Sequence, residues 1–388
     1  MKKMLFLYLD TGGGHKAPAN ALKTLVEQQD KNVKVYVESA LTKKNKLTKL
    51  LIEKSYHFCM LYCSYLFSFL YLITPFRWMH SCINCLFERV YAKNIKNLIE
   101  KYEITDIVSF HFLINPSIVK LCKKYFPNIK FSVICLDPFT AHSVWFYEKN
   151  VQYYVYSQTV KNFAIQKCHI PQENVEIVPF ILNQKFNTKI DNEQKNELRK
   201  KYNFPQHKKM ILISLGGEGE LNRTKKLVRS LIKQKVDATV IIICGKAEKS
   251  KILLQNFVSK QMQKNIFSTD FRILGYIDYM SDLIKISDYA VIKAGASSVM
   301  EFIVSKIPFI IFKYVYGQEL GNMQFAVKYG FAKYIKKTDC VAKQIKDFCS
   351  TNENSQTTSL NDWENKLQNA LKEISVDSEK TANIILER

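Results

Sequence analysis

Short apolar runs of strand length alternate with longer amphipathic segments along most of the chain. Most of these runs are rich in Val and Ile and show no alternation of apolar and polar positions, as expected for strands buried on both faces of a parallel sheet. The predicted strands of the first half are Met4–Leu9, Val33–Val37, Asp106–Phe110, Phe131–Leu136, Tyr153–Tyr156 and Val175–Pro179. Those of the second half are Met210–Ser214, Thr239–Cys244, Phe271–Leu274, Tyr289–Lys293 and Phe309–Phe312. The pattern predicts the α/β class, with two Rossmann-like arrays of parallel strands.

A polar, charged stretch at 183–207 separates the two series of predicted strands. At 388 residues the chain also exceeds the length at which a single hydrophobic core usually stops growing. We therefore predict an N-terminal domain at 1–182, a linker at 183–207 and a C-terminal domain at 208–350. Residues 351–388 are expected to form a polar loop and a C-terminal helix.

Composition and charge narrow the choice of partners only slightly. Lys and Arg outnumber Asp and Glu by 57 to 35, which gives a formal net charge of +22. A surface of this sign attracts phosphates, nucleic acid and anionic lipid headgroups, so the charge alone selects no partner. The ten cysteines are spread among apolar segments, as is typical of a reducing compartment. Cys82 and Cys85 form one C-x-x-C without a second pair nearby, and no metal site is predicted.

A glycine-rich turn with a histidine at its edge follows the first predicted strand, with the sequence Asp10-Thr11-Gly12-Gly13-Gly14-His15. Ligands bind at the carboxyl ends of parallel strands, where glycines let them approach the N–H groups of a helix N-terminus. A histidine in this position can take a proton from an attacking hydroxyl near neutral pH. The alternative is a tight turn whose histidine only caps the helix, and the spacing alone does not separate the two.

Small or polar residues also follow three predicted strands of the second half. Such turns can present backbone N–H groups, hydroxyls and carboxylates to a nucleotide and its sugar. The candidate residues for binding a nucleotide and its sugar are Gly216, Gly217, Glu218, Gly219, Gly295, Ala296, Ser297, Ser298, Glu301, Gln318, Glu319 and Asn322. Each turn taken alone is equally typical of an ordinary helix start. Their combination indicates an anion-binding face.

These motifs together resemble the family of monogalactosyldiacylglycerol synthases and diacylglycerol glucosyltransferases, which is related to the peptidoglycan N-acetylglucosaminyltransferase. The resemblance covers nearly the whole chain and is most specific between Gly275 and Ile335. The matching segments are Thr11–His15, Leu136–Trp145, Gly216–Gly219, Lys293–Gly295, Glu301-Phe302, Ile307-Pro308 and Gly317–Asn322. One departure is Gly295-Ala296-Ser297-Ser298, where galactolipid synthases usually have Gly-Pro-Gly-Thr.

The resemblance implies a GT-B architecture, in which two Rossmann-like domains with parallel sheets face a central cleft. It implies an inverting transfer of a hexose from UDP-glucose or UDP-galactose to a diacylglycerol-type lipid, without an obligatory cofactor or metal. By this resemblance His15 is the first choice for the catalytic base or for a group that orients the base. Asp137 is the second choice, and Glu301 is assigned to the ribose. The expected residues of the acceptor side are Gly12, Gly13, Gly14, His142 and Trp145.

An aromatic and leucine-rich stretch at 56–78 is interpreted as the contact with a membrane surface. Its candidate contact residues are Tyr56, Leu66, Phe67, Phe69 and Trp78. A buried core helix is the alternative, and a membrane-spanning helix is not expected. We therefore expect a peripheral protein on the cytoplasmic face of the cell membrane, with UDP-sugar, lipid and an anionic membrane surface as partners and no nucleic acid.

Two other functions stay open from the sequence. The same scaffold serves transferases with polyprenyl-linked or sterol acceptors, which would share every donor-site residue. A catalytically silent UDP-sugar-binding membrane scaffold is the second, and the departure at Gly295–Ser298 favours it. The retention of His15, Asp137 and Glu301 argues against a silent protein.

Overall fold

The computed structural model describes residues 1–9, 13–41, 91–188, 190–215, 220–264, 268–350 and 356–388. The described residues form two compact units. Unit 1 contains Met1–Asn183, Val315–Gly321 and Leu371–Arg388, and unit 2 contains Gln184–Tyr314 and Asn322–Ala370.

Unit 1 is built on a six-stranded sheet in the order β2-β1-β3-β4-β5-β6, and all of its strand pairs are parallel. The strands are β1 Lys2–Tyr8, β2 Val33–Ser39, β3 Asp106–Ser109, β4 Lys130–Ile134, β5 Gln152–Val155 and β6 Val175–Ile177. The helices between them are α1 Gly13–Gln29, α2 91–102, α3 Asn115–Tyr125 and α4 Gln158–Gln166. Three consecutive residues of β1, Leu5 to Leu7, are fully buried, as the absence of alternation in the sequence predicts.

Unit 2 repeats this plan with a parallel sheet in the order β12-β11-β10-β7-β8-β9. Its strands are β7 Met210–Ser214, β8 Thr239–Ile243, β9 Asp270–Leu274, β10 Tyr289–Lys293, β11 Phe309–Lys313 and β12 Ala332–Tyr334. Its helices are α5 Asn192–Lys201, α6 Leu221–Lys233, α7 Glu248–Lys264, α8 Met280–Ile286, α9 Ala296–Val304, α10 Leu320–Lys328, α11 Thr338–Ser350 and α12 Gln356–Leu371. Val240, Val291 and Ile310 of the sheet pack with Leu227 and Ile345 in one buried core. The predicted α/β class with two parallel arrays is confirmed.

The stretch at 183–207, which the sequence predicts as a linker, contains helix α5 and is tied to unit 2. Asp191 caps the helix with a capping box. The guanidinium of Arg199 is buried and donates to the carbonyl of Ile286 and, at 2.8 Å, to the carboxylate of Asp288. The polar composition of this stretch therefore reflects an anchored surface helix.

The C-terminal residues form two helices where the sequence predicts one. Helix α12 ends at Leu371, and a second helix, α13 Ser378–Glu387, belongs to unit 1. Asp377 caps α13 through the N–H of Lys380, and the hydroxyl of Thr381 donates to the carbonyl of Pro179 at 2.7 Å. The chain end thus returns to unit 1, where α13 packs against α1.

No helix among the described residues is long and apolar enough to cross a membrane. The candidate membrane-contact residues, Tyr56, Leu66, Phe67, Phe69 and Trp78, lie outside the described residues.

Candidate active site

The order of the strands in unit 1 brings the candidate catalytic residues to one edge of the sheet. His15 follows β1, Asp137 follows β4, and β3 lies between these two strands. Because the strands are parallel, their carboxyl ends meet at the same edge. A second histidine, His111, follows β3 at this edge.

His15 lies in the first turn of α1 and is half-buried. Its Nδ1 is 2.8 Å from the carbonyl oxygen of Phe110. A carbonyl can only accept a hydrogen bond, so the proton of the neutral ring is assigned to Nδ1. Nε2 of His15 therefore carries the lone pair that a general base needs.

Burial keeps the ring of His15 uncharged. It lowers the pKa of His15 to about 4, because a buried imidazolium loses its hydration, and the Phe110 carbonyl offsets this only in part. The ring of His111 packs against it with a centroid distance of 4.5 Å. At neutral pH the residue is thus in the form that takes a proton.

His111 and His142 hold two short 3-10 turns, Phe112–Ile114 and Ser143–Phe146. The Nδ1 of each histidine accepts from a backbone N–H two residues ahead, at 3.2 Å for His111 and 3.1 Å for His142. For His111 this agrees with a structural role. His142, expected on the acceptor side, is buried and caps its turn with Nδ1.

Asp137 is held from two sides. Its Oδ2 accepts from the indole Nε1 of Trp145 at 2.7 Å, and the side chain of Gln318 donates to the same carboxylate. Burial raises the pKa of Asp137 to about 6, although these two hydrogen bonds oppose the rise. Among the described residues its partners are Trp145 and Gln318, so Asp137 does not orient His15 as the carboxylate of a catalytic triad would.

A series of stacked and edge-on rings connects the surroundings of His15 with those of Asp137. The ring of His111 lies 4.5 Å from that of His15 and 4.7 Å from that of Phe112. Phe112 in turn meets the edge of Trp145, which is buried, at 5.4 Å. The two candidate catalytic groups are therefore connected by an unbroken series of ring contacts.

Two glycines of the predicted motifs differ in the space around them. Among the residues that the structure describes, none lies within 4 Å of a Cβ added to Gly14, in the first turn of α1. A Cβ on Gly321 would lie 2.7 Å from Cβ of Phe139 and 2.9 Å from the side chain of Thr140. Gly321 is thus needed for packing, whereas Gly14 borders open space. Gly13 is the first residue of α1, and Gly12 lies outside the described residues.

The segment Val315–Gly321, predicted on the donor side, belongs to unit 1. The carbonyl of Gln318 accepts from the hydroxyl of Thr140 at 3.2 Å. Glu319 is buried, and its Oε2 accepts from the backbone N–H of Val315 at 2.8 Å. In this structure Gln318 and Glu319 therefore hold the segment in place, in addition to the contact of Gln318 with Asp137.

In unit 2 the turn after β10 leads directly into α9. Gly295 occupies the N-cap position without a side-chain cap, and the first bond of the helical ladder runs from the N–H of Val299 to the carbonyl of Gly295 at 2.9 Å. The N–H groups of Ala296, Ser297 and Ser298 therefore precede that ladder, at the positive end of the helix dipole. Such a helix start binds anions, including phosphates.

Two polar side chains lie close to this helix start. The Nδ2 of Asn322 donates to the carbonyl of Ala294 at 2.9 Å, while its buried Oδ1 has no partner among the described residues. Glu301 is half-buried in the second turn of α9. Burial raises the pKa of Glu301 to about 7, because the buried carboxylate loses its hydration. Gly216, Gly217, Glu218 and Gly219 follow β7, the neighbour of β10, but lie outside the described residues.

Sequence reasoning missed the partners that fix these side chains. The carbonyl of Phe110 selects the tautomer of His15. Every residue has a backbone carbonyl, so no sequence motif indicates this contact. Gln318 was predicted from its polar side chain, but its contact with Asp137 joins positions far apart in the chain. A co-varying pair of positions is the signal that would have revealed it.

Two family models match consecutive parts of the chain. The model described as Monogalactosyldiacylglycerol (MGDG) synthase matches residues 15–178. The model described as Glycosyltransferase family 28 C-terminal domain matches residues 210–374. The first begins at His15 and contains Asp137, and the second contains the turn after β10 together with Glu301.

Curated relatives match over most of the chain. The chain is 24% identical to the chloroplastic monogalactosyldiacylglycerol synthase of Spinacia oleracea over 97% of its own length and 70% of that protein. It is 25% identical to a processive diacylglycerol beta-glucosyltransferase of Bacillus licheniformis, over 76% of this chain and 74% of that one. Against monogalactosyldiacylglycerol synthase 1 of Arabidopsis thaliana it is 26% identical and spans 64% of that protein.

Solved structures confirm the predicted GT-B fold. Anabaena HepE in complex with UDP-glucose superposes with a TM-score of 0.59 at 12% identity, over 100% of both chains. MurG of Acinetobacter baumannii gives a TM-score of 0.57 at 13% identity, again over 100% of both. At this identity the likeness shows the fold alone, whereas the two family models identify the relationship. With an MGDG synthase domain followed by a glycosyltransferase family 28 C-terminal domain, the chain belongs to the family of monogalactosyldiacylglycerol synthases and diacylglycerol glucosyltransferases.

Proposed function

We propose that this chain is an inverting glycosyltransferase that moves a hexose from a UDP-sugar to a diacylglycerol-type lipid at a membrane surface. The state of His15 is the observation that carries the proposal. Its Nδ1 bond to Phe110 leaves Nε2 as an acceptor, and burial keeps the ring neutral. A base in this form can take the proton of the acceptor hydroxyl as the oxygen attacks the anomeric carbon.

The departing UDP needs stabilisation of its growing negative charge, and the start of α9 can supply it. The N–H groups of Ala296, Ser297 and Ser298 precede the helical ladder, at the positive end of the helix dipole. There they can donate hydrogen bonds to a phosphate of UDP. Ser298 keeps a hydroxyl where related synthases have a threonine. The ionised carboxylate of Glu301 then accepts hydrogen bonds from the ribose hydroxyls.

Asp137 supplies a second polar group at the acceptor side. Its pKa of about 6 leaves it mostly ionised at neutral pH. Trp145 and Gln318 fix the orientation of its carboxylate. We assign Asp137 to a hydroxyl of the acceptor or of the transferred sugar, which it orients beside His15.

The lipid acceptor and the membrane surface are proposed from three lines of support. The relatives from Spinacia oleracea and Bacillus licheniformis are named for products or acceptors based on diacylglycerol. The net charge of +22 attracts anionic headgroups. The aromatic stretch at 56–78 offers residues suited to a membrane interface. These three lines support our proposal of a peripheral position at the membrane, which we place on its cytoplasmic face.

The test is a transfer assay with the full chain and diacylglycerol-containing liposomes. UDP-glucose, UDP-galactose and UDP-N-acetylglucosamine are supplied separately, and released UDP and the lipid product are measured by mass spectrometry. We expect a glycosyl-diacylglycerol from one hexose donor. UDP binding without transfer would contradict the proposal, and parallel assays with polyprenyl phosphate and a sterol would show whether another acceptor is used.

A further inference from the structure

Asn115 carries a buried side chain that the fold does not use. It lies at the first position of α3, at the carboxyl edge of the sheet of unit 1, and is only 2% exposed. Neither its Oδ1 nor its Nδ2 has a hydrogen-bond partner among the described residues. Burying an unpaired carboxamide costs free energy, because both polar groups lose their hydration. A leucine of similar size would avoid this cost, so the needs of folding do not explain an asparagine.

Ser143 adds a second unpaired group, on a turn that contacts the turn just before Asn115. Its hydroxyl is buried and also lacks a partner among the described residues. Ser143 begins the Ser143–Phe146 turn, and Asn115 directly follows the Phe112–Ile114 turn. These two turns are in contact, through the edge-on pair of Phe112 and Trp145 among others.

The chemistry of the two turns favours a neutral ligand. Neither His111–Pro116 nor His142–Phe146 contains a Lys, Arg, Asp or Glu. Phosphate groups are usually bound with the help of Arg or Lys, which form strong charge-assisted hydrogen bonds. A carboxamide N–H and a hydroxyl are instead two neutral donors. They suit two carbonyl oxygens, such as the two esters of a diacylglycerol.

The turns also lie next to the proposed base. The ring of His111, which caps the first turn, packs 4.5 Å from the ring of His15. Open space borders Gly14, the residue before His15. The turns and the proposed base are therefore connected through the ring of His111.

We propose that Asn115 and Ser143 form a subsite between the two turns, and that this subsite binds the ester carbonyls of a diacylglycerol acceptor. The identity of the acceptor rests on the proposed function. The subsite would distinguish a diacylglycerol from a sterol, which offers only a hydroxyl, and from a polyprenyl phosphate, which offers a charged group without esters.

The test compares Asn115→Leu and Ser143→Ala with a matched control, Asn94→Leu. Asn94 uses its Nδ2 to donate to the carbonyls of Ser39 and Ala40 at 3.2 and 3.0 Å, so its loss leaves two acceptors unpaired. Thermal unfolding gives the stability of each variant. Calorimetry of the full chain with dioctanoylglycerol in detergent micelles gives lipid affinity without any need for transfer, and UDP affinity is measured separately.

We expect Asn115→Leu to keep or raise the Tm, by up to about 4 °C, because it removes an unpaired buried group. Its affinity for dioctanoylglycerol should fall about tenfold, with a smaller fall for Ser143→Ala. Asn94→Leu should lower the Tm instead and leave lipid affinity in the folded protein unchanged. UDP affinity should be the same in all variants.

Three results would overturn the subsite. A fall in the Tm of Asn115→Leu like that of the control would show that the carboxamide is a structural group. Unchanged lipid affinity in both Asn115→Leu and Ser143→Ala would show that the turns do not bind the esters. If the wild-type chain binds UDP but no dioctanoylglycerol, diacylglycerol is not the ligand of this subsite. Lipid binding that depends on Asn115, in a chain that transfers no sugar, would leave the subsite intact and contradict only the proposed function.

Discussion

His15 and Asp137 lie at the same edge of the sheet, with β3 between their strands, and different partners hold them. A backbone carbonyl fixes the tautomer of His15, whereas an indole and a carboxamide hold the carboxylate of Asp137. Burial moves the two pKa values in opposite directions, to about 4 for His15 and about 6 for Asp137. Separate environments for two titratable groups agree with the different roles that we propose for them.

The pH dependence of kcat distinguishes these two residues as the base. A general base works when it is deprotonated, so activity falls as the pH drops through its pKa. Wild-type kcat should fall in part near pH 6, where the carboxylate of Asp137 that orients the hydroxyl becomes protonated. With His15 as the base, kcat of Asp137→Asn at saturating substrates should stay nearly constant between pH 8 and 5.5, because the pKa of His15 is about 4. A complete loss of transfer in Asp137→Asn across this range would assign the base to Asp137 instead.

Trp145 should hold down the pKa of Asp137. Its indole N–H donates to the carboxylate and stabilises the charged form. Trp145→Phe keeps a ring but removes this donor, so the pKa of Asp137 should rise above its value of about 6. Carboxyl carbon NMR measures that titration directly. Trp363→Phe, which removes an indole N–H bonded to the carbonyl of Ile303 in unit 2, should leave the titration unchanged.

Glu301 should make UDP affinity depend on pH. Its pKa of about 7 means that the carboxylate is half protonated near neutral pH, and only the ionised form accepts bonds from both ribose hydroxyls. UDP affinity should therefore rise about tenfold from pH 6 to pH 8, beyond any change due to the UDP phosphate itself. Calorimetry with Glu301→Gln, which cannot ionise, gives the phosphate contribution. Parallel curves for the two proteins would refute the assignment to ribose.

At the scale of elements, the site depends on where strands end and helices begin. β1, β3 and β4 are neighbours in one sheet, and β7, β10 and β11 in the other. These orders gather turns that are distant in the sequence at one edge of each sheet. The turns use their glycines in different ways. Gly14 borders open space, whereas Gly321 packs so closely against Phe139 and Thr140 that no Cβ fits.

This difference between the glycines predicts opposite results for two alanine variants. Gly14→Ala should be neutral or stabilising by up to about 1 kcal/mol, because alanine favours a helix, yet it should lower activity by filling space beside His15. Gly321→Ala should cost about 1–3 kcal/mol through its clash with Phe139 and Thr140. Chemical denaturation and a transfer assay on each variant check both. Equal effects on stability would contradict this account.

At the scale of the whole molecule, the periodic pattern predicted the two parallel arrays, because buried parallel strands leave apolar runs such as those of β1 and β8. It failed where polar residues serve structure. The sequence of helix α5 is polar enough to predict a linker, but Arg199 is buried and pairs with Asp288. At the C-terminus, Asp377 caps the start of a second helix where the sequence predicts one continuous helix. The candidate site was predicted from residue types that follow strands, namely His15, Asp137 and Glu301, and their roles stay predictions. The partners that set their protonation come from distant segments, so no local pattern reveals them.

The anomeric configuration of the lipid product tests the central claim most directly. UDP-glucose and UDP-galactose carry α-linked sugars, so attack by the acceptor from the opposite face gives a β-glycoside. We predict that proton NMR of the glycolipid made by the wild-type chain shows only the β-anomer. His15→Ala should lose on the order of 10²-fold in kcat while its UDP affinity stays unchanged. An α-linked product, or full turnover by His15→Ala, would contradict an inverting transfer with His15 as the base.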